Sequence, residues 1–263
     1  DKDVSFSFLW MRAGYDINQR LIPYTNDSTH ATAALVGILN TLLVAFVGCI
    51  LATIIGVFVG ILRLSKNWII AKLMSVYIEG FRNVPLLLWI VMVFALLTEF
   101  TPQPRAFKGE NPDASMIMFE SIAVTNRGTY LPNPQWGTGS IWLILVFLVS
   151  LLGIVIFRRY AKNIQKNTGR NLPVLWVSLG IFFVPTILFY FILGSPVTLE
   201  YPYLKGFNFK DGIHIRNSFI ALTLALAFYT SAFIGEIVRS GIMAISKGQT
   251  EAASALGMRP NKI

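Results

Sequence analysis

From Ala31 to Leu62 the chain carries no Asp, Glu, Lys or Arg. About 20 consecutive apolar residues suffice to cross a bilayer, and a run this long has no place on the surface of a water-soluble domain. Four more apolar runs follow, at Asn83 to Thr98, Ile141 to Phe157, Leu172 to Gly194 and Asn217 to Gly235. Only 13% of the residues are charged against 54% hydrophobic, and the mean hydropathy is +0.61. Soluble domains carry about 25% charged residues. The composition therefore excludes a disordered chain and argues against a soluble enzyme.

These runs predict an all-α, polytopic helical membrane protein. Spans are expected over 35–62, 85–98, 140–157, 172–195 and 217–242. The second is short unless its helix starts before Pro85. Ahead of it, Ile69, Ile70, Leu73, Val76 and Tyr77 recur at helical spacing. Residues 63–84 thus read as an amphipathic interfacial segment or as the first part of a bent span. Pro173 suits a helix start, and Pro185 in mid-run removes one backbone hydrogen bond and favours a kink. Gly56 and Gly60 form a GxxxG step where a neighbouring helix can approach closely, or else face lipid.

Net charge is +9, from 22 basic and 13 acidic residues. Segments 63–84, 158–171 and 243–263, with the end of the fifth span, hold 13 basic and 3 acidic residues; 1–34, 99–139 and 196–216 hold 9 and 10. Lys and Arg mark the cytoplasmic side. Five spans with an outside start and an inside end fit this division throughout. The strongest vote is the basic loop 158–171, with Arg158, Arg159, Lys162, Lys166 and Arg170 and no acid. It reads as facing lipid headgroups, so membrane lipid is an expected partner and nucleic acid is not. The segment 99–139, rich in Pro, Gly and Asn, reads as an extracytoplasmic loop with little regular structure. In 1–34, Trp10, Tyr15 and Tyr24 are available to sit at the interface.

Chemistry has few carriers. No GxxxxGK[ST] phosphate cradle and no HExxH metal motif occurs. His30 and His214 lie in separate polar segments and read as solvated. Cys49, the single cysteine, can form no disulfide within the chain and is expected to be a small buried residue. No catalytic set and no metal site is predicted. At the C-terminal end Glu236 and Arg239 are three apart and can pair on one helical face. Gly248 can end one helix and Gly257 another, with Glu251 to Leu256 between them as a helix starting near Thr250. Such a short helix can be gripped in a partner's groove, or be an ordinary amphipathic loop.

Glu251-Ala252-Ala253, followed by Gly257, resembles the EAA motif of binding-protein-dependent ABC permeases. Asn40-Thr41-Leu42 resembles the start of that family's first core helix. Glu79-Gly80-Phe81-Arg82-Asn83-Val84-Pro85-Leu86-Leu87 is similar to its E-x-x-R-x-x-P-L-L signature. Glu236-Ile237-Val238-Arg239-Ser240-Gly241-Ile242 is similar to E-I-x-R-G-G-I, with Ser240 in place of the first Gly of the pair. These are features of the polar amino-acid (histidine/glutamine) permeases. The stretch from Arg12 to Tyr24 and the long insert between the second and fifth runs resemble the general L-amino-acid (glutamate/glutamine/aspartate) subfamily.

The resemblance implies part of an ABC type I importer transmembrane domain in the bacterial inner membrane. It implies an ATP-driven importer of polar L-amino acids, in which this chain is the non-enzymatic permease subunit. Implied partners are ABC ATPase subunits, a second permease subunit (a paralogue), and a periplasmic amino-acid-binding protein. No cofactor is expected in this chain, since ATP and Mg belong to the ATPase. Lys247, Gly248, Glu251, Ala252, Ala253 and Gly257 would form the coupling helix that docks on the ATPase. Asn40, Thr41 and Asn83 could hydrogen-bond a passing zwitterion. Glu79, Arg82, Glu236 and Arg239 would line the substrate path or inner gate, or serve as structural ion pairs. The chain begins at Asp1 rather than Met and stops at Ile263 inside the motif, and the family has more helices on both sides, so an upstream segment and further downstream helices are expected.

Two other functional classes make demands that the sequence does not meet. An ion-coupled secondary amino-acid carrier or channel subunit would need ionisable groups near mid-membrane, and the centres of the five runs have none. A membrane enzyme using 99–139 would need a catalytic cluster there, and Arg105, Lys108, Glu110, Asp113 and Glu120 make no recognised set.

Overall fold

A computed structural model describes residues 5–109 and 112–258. Eight α-helices appear among them: α1 (His30–Arg63), α2 (Trp68–Asn83), α3 (Leu86–Glu99), the single turn α4 (Ile117–Glu120), α5 (Ser140–Thr168), α6 (Val174–Ile192), α7 (Asn217–Met243) and α8 (Lys247–Ala255). Short strands lie between them: β1 (Ala123–Thr125), β2 (Gly128–Leu131), β3 (Asn133–Trp136), β4 (Val197–Glu200), β5 (Tyr203–Lys205), β6 (Asn208–Lys210) and β7 (Ile213–Ile215). The chain is a predominantly helical membrane protein. Among the described residues α1, α5, α6 and α7 are each long and apolar enough to cross a membrane, and α2 with α3 qualifies as a bent pair.

The chain divides into two compact units. The first comprises Asp1–Ser115, Val124–Thr129 and His214–Ile263. Its centre is the pairing of α1 with α7, against which α2 and α3 pack. Thr29 caps α1, its side chain accepting from the Thr32 N–H at 3.3 Å. Gly56 and Gly60 meet α7 nearly backbone to backbone. A Cβ added at Gly56 would lie 2.7 Å from the Ile234 Cβ, and one at Gly60 2.6 Å from the Gly235 carbonyl oxygen. The GxxxG step is a helix crossing and does not face lipid. Around it Val59, Ile78 and Ala232 form a buried core.

α1 and α7 run parallel: Gly60 lies beside Gly235, and Asn40 shares a cavity with Ser218 to Leu226. α3 runs the opposite way, since the Asn217 Nδ2 at the start of α7 donates to the Leu97 carbonyl near the end of α3 at 3.3 Å. Two parallel membrane-crossing helices must be separated by an odd number of crossings. If α5 and α6 each cross, the α2–α3 pair has to supply one further crossing. The bend is 108°. Its cause is local: Pro85 forces Val84 into extended geometry (φ −106°, ψ 132°), which ends α2.

The second unit comprises Met116–Ala123 and Tyr130–Ile213. It is the antiparallel hairpin of α5 on α6, with the two-stranded ladders β3–β4 and β5–β6.

Several expectations are corrected. The segment 99–139 holds more regular structure than expected, the short strands β1 to β3; in β1 and β2 Val, Thr and Tyr alternate between more and less buried positions. The 158–171 segment is not a loop, because α5 continues to Thr168 through helix-favouring Arg, Lys, Ala and Gln. Left-handed Gly169 (φ +70°) then caps it, donating its N–H to the Gln165 carbonyl at 3.0 Å. α6 runs unbroken through Pro185. Cys49 is exposed: Gly48 and Ala52 take the buried face of α1. Tyr24 is buried rather than interfacial. It packs with Ala33 and Val36, and its hydroxyl donates to the Tyr15 carbonyl at 2.9 Å. His214 is half-buried, its Nε2 3.1 Å from the Arg127 carbonyl oxygen.

Candidate functional site

Three places in the first unit hold the residues singled out from the sequence. The first is a cavity of about 450 Å³ beside the N-terminal halves of α1 and α7. That falls in the ordinary range of small-molecule sites, about 300–1,000 Å³. Gln19, Asn40, Thr41 and Ser218 supply its polar wall; Val44, Phe219, Leu222 and Leu226 supply most of the apolar one. The Asn40 Nδ2 donates to the Gln19 carbonyl at 2.6 Å. The Asn40 Oδ1 is buried and has no hydrogen-bond partner among the described residues. An acceptor left open in this way can accept a hydrogen bond from an incoming donor. Gln19 and Ser218 were missed in the sequence, because loop residues gain a cavity only through the return of α7 more than 170 residues later.

The second place is the charged end of the same helix pair. The Glu236 carboxylate of α7 is shared by two arginines. Arg63, the last residue of α1, donates to one carboxylate oxygen, and Arg239 Nη1 donates to the other at 3.0 Å. Arg63 Nε also reaches the Ser75 hydroxyl of α2 at 3.2 Å. The side chains are largely shielded, at 16% exposure for Arg63 and 27% for Glu236. One cluster therefore ties α1, α2 and α7 together and leaves one positive charge in excess. Glu236 and Arg239 pair at helical spacing; Arg63 was missed because it merely closed a hydrophobic run.

The other signature residues do not converge there. The Arg82 guanidinium lies over the Phe233 ring at 5.5 Å, a cation–π contact. Glu79 and Asn83 are exposed on α2, and Glu79 forms no ion pair among the described residues. Beside them the Tyr77 hydroxyl is 2.6 Å from the Ser231 Oγ and donates to the Phe228 carbonyl at 3.0 Å. Phe81 stacks on Trp89 across the bend, with ring centroids 4.2 Å apart.

The third place is α8. Lys247 opens this helix and Gly248 lies within its first turn, so Gly248 ends no helix: α7 has already stopped at Met243. Gly257 does stand at a helix end, with φ +76°. Gly248, Glu251 and Ala252 are exposed and Ala253 is partly covered. Apolar Ile245, Leu256 and Met258 around the helix are 57%, 84% and 47% exposed. Residues 259–263 of the predicted coupling loop, and Glu110 of the 99–139 segment, lie outside the described residues.

The chain is similar to amino-acid transport permeases along nearly its whole length. It is 48% identical to the glutamate/glutamine/aspartate/asparagine transport system permease protein BztB of Rhodobacter capsulatus, covering 99% of this chain and 66% of that one. It is 42% identical to the general L-amino acid transport system permease protein AapQ of Rhizobium johnstonii, over 98% of this chain and 62% of that one. It is 39% identical to the putative amino-acid ABC transporter permease protein YhdX of Escherichia coli, over 98% and 63%. The chain thus spans 62–66% of the length of these curated relatives. No protein-family profile and no solved structure matches it.

Proposed function

The chain belongs to the amino-acid ABC-transporter permeases, in the general L-amino-acid subfamily, and is a multi-pass inner-membrane protein; on that premise we propose that it is a permease subunit of an ATP-driven, binding-protein-dependent importer of polar L-amino acids. The observation that carries this reading is the 48% identity to a permease named for glutamate, glutamine, aspartate and asparagine transport, over 99% of the chain. Its partners would be ABC ATPase subunits holding ATP and Mg, a second permease subunit, and a periplasmic binding protein.

In this reading α8 is the coupling helix. Its exposure, its Glu251-Ala252-Ala253 sequence and its rim of bare apolar side chains suit it to a partner's groove. The outer cavity at Asn40 and Gln19 is the stretch of path nearest the binding protein. There the open Asn40 Oδ1 would accept from the α-ammonium of the amino acid, and Thr41 and Ser218 would meet its carboxylate. The Arg63–Glu236–Arg239 cluster closes the cytoplasmic end, its excess positive charge matching an acidic cargo. Transport is alternation of the permease pair between outward-open and inward-open states, biased by ATP through α8.

The test is reconstitution of the full-length protein with its ATPase, paralogue and binding protein, and uptake of radiolabelled L-glutamate into vesicles. Uptake is expected to require ATP. Glu251→Lys should insert normally but lose both the ATPase on co-purification and the uptake. Uptake driven by an ion gradient without ATP, or undiminished ATPase recovery with Glu251→Lys, would overturn the reading.

A further inference from the structure

The helix α5 does not stop where its apolar part ends. Ser140 to Phe157 already approaches the length of a crossing, yet the helix continues to Thr168. The continuation carries Arg158, Arg159, Lys162 and Lys166, all exposed, and no acidic residue. At about 100° per residue these four side chains fall within about 100° of arc, on one face of the helix. The stripe is about 12 Å long at 1.5 Å per residue. Arg170 follows just beyond the Gly169 cap.

None of these cations has an acidic partner among the described residues. In the first unit Arg63 and Arg239 share Glu236 and Arg82 lies over Phe233, whereas Lys66 and Lys72 also lack an acidic partner among the described residues but stand six apart and form no stripe. The stripe also works against the helix that bears it. Arg158 with Lys162, and Lys162 with Lys166, are like charges four apart, which destabilise an isolated helix. Only Lys166, in the last turn, complements the helix dipole. A stripe of exposed like charges on one helix face presents a concentrated positive potential to an external anion.

We infer that this stripe is a binding surface for the headgroups of anionic phospholipids. The choice of lipid rests on position: the basic face continues, without a break in the helix, directly from a membrane-crossing segment. Clusters of four to eight Lys or Arg placed so are what anionic leaflets attract. Two exposed amphipathic rings lie near the same end of the hairpin, Tyr160 on another face of α5 and Trp176 in the first turn of α6, at 59% and 74% exposure. Such rings settle at headgroup level. The lipid holds the α5–α6 hairpin at a fixed depth, and the surface is independent of the amino-acid path.

The test is lipid retention by the full-length purified protein, read by native mass spectrometry. The probes are phosphatidylglycerol, phosphatidylcholine and inorganic phosphate, each titrated separately. Wild type is expected to retain phosphatidylglycerol over phosphatidylcholine, and less of it as sodium chloride is raised. The combined change Arg158→Gln, Arg159→Gln, Lys162→Gln and Lys166→Gln should lower that retention at least about ten-fold. Arg158→Lys with Arg159→Lys should keep it, which separates lost charge from lost fold. Lys66→Gln with Lys72→Gln, neutralising cations of the first unit, should also keep it. Equal retention of the two lipids by wild type, insensitivity to salt, or displacement of the lipid by inorganic phosphate would each overturn the assignment.

Discussion

Gly60 of α1 and Gly235 of α7 touch through their backbones: a Cβ on Gly60 would fall 2.6 Å from the Gly235 carbonyl oxygen. Val238 stands on the same side, with its Cβ 2.8 Å from that position. Neither obstacle is the end of a flexible side chain, so one helix must move. Transmembrane helices associate through such close packing of small residues.

Gly60→Val is therefore expected to separate α1 from α7 and cost about 1–3 kcal/mol, the usual range for overpacking. The readout is the thermal unfolding midpoint of the purified protein in detergent. Gly37→Ala is the control, since nothing lies within 4 Å of a Cβ there; its midpoint should not fall.

Removing the shared carboxylate leaves two arginines facing each other. Glu236→Gln should destabilise by about 1–3 kcal/mol, between the small worth of exposed pairs and the larger cost of breaking buried ones. The further change Arg63→Gln should restore part of the loss. A double-mutant cycle on unfolding midpoints measures the coupling; additive losses would show that the two groups do not interact.

The Tyr77 hydroxyl sits between the Ser231 Oγ and the Phe228 carbonyl, at 2.6 and 3.0 Å. Tyr77→Phe keeps the ring against Phe81 and deletes only that bridge. A loss of about 0.5–1.5 kcal/mol is expected. Native-state hydrogen exchange should show faster opening in α2 than in the α5–α6 hairpin.

Burial lowers the pKa of His214 below its usual 6.5; the nearby Arg216 charge acts in the same direction, and the hydrogen bond to the Arg127 carbonyl opposes both. The folded state thus prefers the neutral ring. Its contribution to stability is present in full above about pH 6.5 and is lost as pH falls through the lowered folded value. The unfolding midpoint should drop between pH 7.5 and 5.5, and His214→Gln should flatten that part of the profile.

Much of the helical layout was legible because burying backbone polar groups in lipid admits little else. The absence of charge from Ala31 to Leu62 announced α1, and helical spacing announced the Glu236–Arg239 pair. What escaped was whatever depends on distant segments meeting. Arg63 showed nothing of its tie to Glu236, and Gln19 nothing of its place beside Asn40 and Ser218. The strands of 123–136 were hidden by Pro and Gly, which suggest irregular chain even where short alternating pieces between them pair. Cys49 was misplaced because an apolar run reveals that a helix is in lipid but not which face turns toward a neighbour.

Only Ala244, Ile245 and Ser246 separate α7 from α8. With 27 residues, α7 is about 40 Å long, and at Gly56, Gly60 and Gly235 it is seated on α1 without cushioning side chains. Such a pair behaves as a stiff tie rod: it can lean, but it cannot concertina. Its two ends are thereby held at a fixed separation, one beside the Gln19–Asn40 wall and the other three residues from α8.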